Sequence, residues 1–200
     1  MKFLELSIKD LKKVNKELFE IVKEDYEYDC VIFIARGSFI IGKDLAEYNN
    51  VPLLEIFAKR KGGKIKKILR PLLSVLPNFI VVKLREKEVK SNYHAKNSDR
   101  FVSFDDKIWN KFKNVKKILV VDDSVDTGYS IKFVKEEIEK YFISAEVRVA
   151  ALNYFEKSIN VVKTDYYLYN DTMLKGPWSN DSTENKAYLE LYNNWHNSQK

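Results

Sequence analysis

The stretch ILVVDDSVDTGYS, from Ile118 to Ser130, decides how this chain is read. Its first four residues are apolar and β-prone, too short a run for a helix, and fit a strand buried on both faces. Three carboxylates follow within five residues, Asp122, Asp123 and Asp126, and then Thr127, Gly128, Tyr129 and Ser130 stand where a helix begins. A glycine between hydroxyl residues lets backbone amides close around a phosphate, and the helix N-terminus adds a favourable dipole. The acids crowd like charge: a pair about 6 Å apart repels by ~3 kcal/mol at an effective dielectric of ~20. A sugar diol and a hard cation such as Mg²⁺, held at Asp122 and Asp123, relieve that repulsion. Cradle and acid pair together describe a phosphorylated sugar. Asp-x-x-Asp alone is better read as a capped helix start with solvated aspartates; the longer pattern is what points to a ligand.

Outward from this stretch, strand and helix patterns alternate. Upstream, CVIFIA (Cys30 to Ala35) is a second strand apolar on both faces, followed by Arg36-Gly37-Ser38 and a helical pattern through Ile41, Leu45 and Tyr48. Val51 to Phe57 reads as a strand after an Asn49-Asn50 turn, and Ser7 can cap a helix running from Ile8 to about Glu24. Downstream, Ile131 to Phe142 places Ile131, Val134, Ile138 and Tyr141 on one helical face, and Glu146 to Leu152 and Tyr166 to Tyr169 supply strands. This order predicts an α/β fold with a mainly parallel sheet flanked by helices. A single domain over residues 1–200 is expected, with a core at about 26–169 and a small C-terminal hood and tail at about 170–200. Residues 58–100 mix a basic turn, an apolar piece and a polar run, and read as an insertion with a flexible loop. Phe101 to Phe104 resumes an extended pattern and Asp105 to Phe112 reads as a short helix.

Composition narrows the function classes. With 45% hydrophobic and 32% charged residues in short alternating runs, the chain reads as globular, and no apolar stretch reaches the ~18 residues of a membrane span. The N-terminus lacks a secretory pattern, and a single cysteine, Cys30, fits packing in a reducing compartment, so a cytoplasmic protein is expected. The net charge of +6 favours an anionic partner. The basic stretch Lys59 to Arg100 lacks the aromatic and glycine pattern of an RNA-binding sheet and any zinc-finger spacing, so nucleic acid is not the expected partner.

The segment Ile118 to Ser130 resembles the phosphoribosyl pyrophosphate (PRPP) motif of the type I phosphoribosyltransferases: four apolar residues, two acids, two spacers, then Asp-Thr-Gly and a small hydroxyl residue. The resemblance implies that Asp122 and Asp123 contact the ribose hydroxyls and the Mg²⁺ cofactor, that Asp126 handles a proton beside the base, and that Thr127, Gly128, Tyr129 and Ser130 hold the 5′-phosphate. Tyr129 stands where relatives often carry Gly or Lys. Arg36, Gly37 and Ser38 fall on the family's pyrophosphate loop, which implies a cis peptide at Ala35–Arg36, although an ordinary strand-to-helix turn has the same sequence signature. Ser91 and Tyr93, in Lys90-Ser91-Asn92-Tyr93, resemble the Ser-Tyr pair of the family's flexible loop that closes over PRPP, with a plain surface loop as the alternative.

The segment Asn170 to Trp178 is similar to the hood of the xanthine-guanine enzymes, with Met173 where an aromatic stacks on the base and Leu174 following. Lys157 is the candidate for reading the exocyclic oxygen of a 6-oxopurine, with a surface lysine as the alternative. These likenesses imply a Mg²⁺-dependent transfer from PRPP to a nucleobase-like acceptor, a 6-oxopurine, by a homodimer or higher homo-oligomer that binds no membrane. A PRPP-binding regulator of the same fold and a transferase with a non-purine acceptor remain as alternatives.

Overall fold

In a computed structural model, residues 2–60, 100–103, 112 and 114–199 are described. Cys30–Ile34 forms β2, every residue of it buried. Its side chains alternate between two cores: Val31 and Phe33 enter one hydrophobic cluster, and Cys30, Ile32 and Ile34 the other. That double burial is why the run is apolar throughout. Around it lie β3 (Leu53–Arg60), β4 (Arg100–Ser103), β5 (Lys117–Val125), β6 (Glu146–Tyr154) and β7 (Tyr166–Asn170), in the spatial order β4-β3-β2-β5-β6-β7. All neighbours run parallel except β4, which pairs antiparallel with the outer edge of β3.

Two helices from the N-terminal half pack on one face. The first, α1 (Ile8–Lys23), starts in a reciprocal capping box of Ser7 and Asp10 and buries Leu11, Val14, Leu18 and Val22. The second, α2 (Phe39–Asn49), buries Phe39, Ile41 and Leu45 in the same cluster. The opposite face takes α3 (Tyr129–Tyr141) through Ile131, Val134 and Ile138. From β2 the chain therefore crosses by α2 to β3 on one side, and from β5 it crosses by α3 to β6 on the other. This reversal between β2 and β5 is a topological switch point, where α/β sheets open a crevice at the carboxyl ends of their strands.

Three elements depart from the sequence reading. Lys2–Glu5 forms a further strand, β1, paired parallel with β8 (Thr172–Lys175) in a separate two-stranded sheet over the hood segment. The tail forms a helix, α4 (Asn185–Ser198), whose Tyr188 and Tyr192 enter the same core as α1 and α2. The reading also ends the central strand at Val121, whereas β5 continues through the acids to Val125, pairing Ser124 with Asn153 and Val125 with Tyr154 of β6. Polar side chains do not end a strand whose backbone groups still find partners in a neighbour. Most of the expected insertion, with Ser91 and Tyr93, and the expected short helix from Asp105 lie outside the described residues, save Phe112 in the latter. Among the described residues, no helix is long and apolar enough to cross a membrane.

Candidate functional site

Because β2 and β5 run parallel with Phe33 opposite Val121, the two chains leave their strands side by side at the switch point. The Arg36–Ser38 turn and Asp123 therefore meet. A Cβ placed on Gly37 would lie 2.6 Å from Asp123 Oδ1, so the absence of a side chain is what lets the turn approach the carboxylate. The Ala35–Arg36 peptide is cis, as the resemblance implies. Ser38 is fully buried and turns its hydroxyl inward, donating to Ile34 O at 2.7 Å, so that hydroxyl is engaged within the protein. Arg36 is exposed, its guanidinium 6.0 Å from the Tyr192 ring centroid.

Asp122 is buried and Asp123 half-buried, and the Asp123 N–H donates to Asp122 Oδ1 at 3.0 Å. Burial pushes Asp122 well above the usual carboxylate range, with the charges of Asp123 and Asp126 acting in the same direction. Burial likewise lifts Asp123 to about 6, against its hydrogen bond with Asp122 and with the help of the Asp126 charge. Oxygen donors alone, in a site that disfavours their bare charge, fit a hard divalent ion shared with a substrate's own oxygens. Among the described residues no group of three or more His, Cys, Asp or Glu side chains could hold a metal by itself.

Asp126, exposed beyond the strand, accepts from Ser124 Oγ at 3.2 Å. Ser124 in turn accepts from Asn153 Nδ2 at 3.0 Å, and Asn153 Oδ1 accepts from Thr172 N at 3.1 Å. A chain of hydrogen bonds thus ties Asp126 through β6 to the start of β8. Sequence reasoning missed Ser124 and Asn153, although a polar residue inside the buried run from Val149 was a usable signal. Gly128 takes φ 78° at the start of α3, and a Cβ there would stand 2.8 Å from Val162 Cγ1 and 3.1 Å from Ser158 O. Conformation and space both require glycine. Thr127 and Ser130 are half-buried and Tyr129 exposed on either side of it.

Lys157 reaches the same end of the sheet from the short 3-10 turn Glu156–Ser158. Its pKa is lowered by burial, against the opposing pull of the Asp126 and Asp171 charges, which marks both carboxylates as its neighbours. Met173 is buried in β8 opposite Phe3 of β1, and Leu174 packs against the core that holds α1. Their side chains are engaged in packing at the hood.

No protein-family model matches the sequence, and no curated protein is similar enough to count as a match. Solved structures are similar in fold. A purine phosphoribosyltransferase from Pyrococcus horikoshii superposes with a TM-score of 0.61 at 22% identity, covering 90% of this chain and 95% of that one. The xanthine-guanine-hypoxanthine phosphoribosyltransferase of Helicobacter pylori gives 0.62 at 16% identity over 92% and 99%. A hypothetical protein from Neisseria gonorrhoeae with bound ppGpp gives 0.61 at 17% identity over 95% of each chain. Sheet order, switch-point site and these superpositions agree: the chain has the fold of the type I phosphoribosyltransferases.

Proposed function

We propose that this protein is a Mg²⁺-dependent phosphoribosyltransferase that moves the phosphoribosyl group of PRPP to a ring nitrogen of a 6-oxopurine and releases pyrophosphate. The observation that carries the reading is the meeting of Asp123, bonded to its neighbour Asp122, with the Gly37 turn at the switch point, directly before the glycine-led start of α3. In this assignment Asp122 and Asp123 bind the ribose diol and Mg²⁺, whose role is to neutralise the departing pyrophosphate. Thr127, Gly128, Tyr129 and Ser130 hold the 5′-phosphate, and Arg36 with the Gly37 and Ser38 amides holds the pyrophosphate. The base nitrogen attacks the anomeric carbon, the bond from that carbon to the pyrophosphate oxygen breaks, and pyrophosphate leaves with the electron pair. The proton of the attacking nitrogen passes to Asp126. Lys157, Met173 and Leu174 border the acceptor. The rate comes mainly from placing two reactants and from donors aimed at the leaving group. The proposal includes a cytoplasmic homo-oligomer.

The test is thermal denaturation with PRPP and Mg²⁺. Ligand at about 100 times its dissociation constant adds ~2.7 kcal/mol, a clear rise in midpoint. Asp122→Asn combined with Asp123→Asn removes the rise. An unchanged midpoint for the wild type at millimolar PRPP overturns the reading. Burial of Met173, which leaves no exposed ring-stacking face at that position, favours a second reading: a PRPP- or nucleotide-binding regulator that binds without turnover. Likeness in fold to the Neisseria protein with bound ppGpp is compatible with that reading.

A further inference from the structure

The helix α4 lies outside every sequence motif, yet one of its side chains touches the turn that the proposed function gives to pyrophosphate. Tyr188 is fully buried, and its hydroxyl makes contacts of 2.5 Å to Arg36 O and 2.7 Å to Gly37 O. Its ring stands edge-on to Phe39, the first residue of α2, and to Trp178 of the hood, with centroids 6.4 and 6.3 Å away. Burial and the Asp123 charge raise the phenol pKa, against the amides of Phe39 and Ile40, so the hydroxyl keeps its proton. One turn further along α4, Tyr192 bonds Glu55 and lies under the Arg36 guanidinium, and His196 Nδ1 meets Glu55 Oε2 at 2.7 Å. The helix is thereby fastened to β3 as well as to the turn.

The direction of these contacts matters for anion binding. The Arg36–Gly37 and Gly37–Ser38 peptides are trans, and a trans peptide points its C=O and N–H in opposite directions. With both carbonyls aimed at the Tyr188 hydroxyl, the N–H groups of Gly37 and Ser38 point away from it. A phosphate facing the turn then meets two donors. Arg36 O also accepts from Phe39 N at 3.2 Å, so the carbonyl that depends on the hydroxyl is that of Gly37; released, it would turn the negative end of its dipole toward the phosphate in place of the Ser38 N–H. Solvent cannot stand in for the hydroxyl, since no part of Tyr188 is exposed.

We propose that Tyr188 is a positioning residue that locks the Arg36–Ser38 turn with its amides outward and so sets the affinity for the pyrophosphate part of the ligand. This inference rests on the functional reading above. It assigns the far C-terminal helix a share in the site through the turn that would contact the pyrophosphate.

Calorimetric titration of the wild type and Tyr188→Phe with Mg²⁺–PRPP, Mg²⁺–pyrophosphate and ribose 5-phosphate tests it. Ribose 5-phosphate has no pyrophosphate and uses only the acid pair and the α3 cradle. The expected result is a loss of about tenfold or more for PRPP and pyrophosphate, as for a lost buried hydrogen bond, with ribose 5-phosphate unchanged. Equal loss for all three ligands shows a merely structural role and overturns the proposal, as does no loss for any. If Tyr188→Phe does not fold, 4-aminophenylalanine in place of Tyr188 offers an N–H to each carbonyl. A wild-type ratio of PRPP to ribose 5-phosphate affinity supports the proposal, and a lost ratio in that folded variant overturns it. A wild type that binds neither PRPP nor pyrophosphate removes the functional reading and the proposal together. A wild type that binds both, with a variant that matches it, removes the role of Tyr188 alone.

Discussion

Two carboxylates held against each other at the buried end of a strand work against the stability of the free protein, and the sign of their effect with pH follows from the direction of their shifts. Asp123 titrates at about 6 in the folded chain against 3.8 ordinarily, and Asp122 is displaced the same way. Between those values the folded state holds protons that the unfolded state has released, so stability falls as pH rises through this window and stays lower above it. Replacing both by Asn is therefore expected to stabilise the free protein at about pH 7.5 by ~1–3 kcal/mol, with a smaller gain at about pH 5. Urea denaturation at the two pH values checks it; a destabilised double variant at the higher pH contradicts it. The acid pair and Gly128 were legible because their residue types and spacing are themselves the signal. Asn153 stood out only as a polar residue in a buried run, and neither its role nor that of Tyr188 was legible, because each acts on residues far away in sequence: Asn153 on Ser124, Tyr188 on Arg36 and Gly37.

At the scale of elements, β1 and β8 form a two-stranded sheet, which on its own is marginal in water. β8 depends on its four-residue partner for register, with Thr172 opposite Lys2 and Lys175 opposite Glu5, the latter pair also joined by a 2.9 Å ion pair. Deleting residues 2–5 strips one edge of β8, the strand that carries Met173 and Leu174, while leaving the Ser7 cap of α1 in place. The expected outcome is a raised KM for the acceptor base with PRPP affinity retained, read by steady-state kinetics beside a PRPP titration. Loss of PRPP binding with the fold intact contradicts this division of labour. The pairing was hidden in the sequence because KFLE is too short to show a period and its partner lies some 170 residues away. The helix α4 was hidden differently. Tyr188, Tyr192 and Trp195 recur at helical spacing and all pack on the core, but the asparagines among them lower helix propensity, so tertiary burial decides the outcome.

For the molecule as a whole, alternation of apolar runs predicted the parallel sheet, since each central strand had to be apolar on both faces to be covered on both. The strand order was not in the sequence: nothing local states that β5 inserts next to β2 and not beyond β3. That placement brings the Gly37 turn to Asp123 and turns two separate motifs into one site. Release of pyrophosphate from PRPP with Mg²⁺, measured against hypoxanthine, guanine and xanthine, tests the central claim most directly. The account predicts base-dependent release with at least one 6-oxopurine, reduced ~100-fold or more by Asp126→Asn while PRPP still binds. PRPP binding without release for any base would contradict transfer and leave a regulator, and the absence of both binding and release would contradict the site itself.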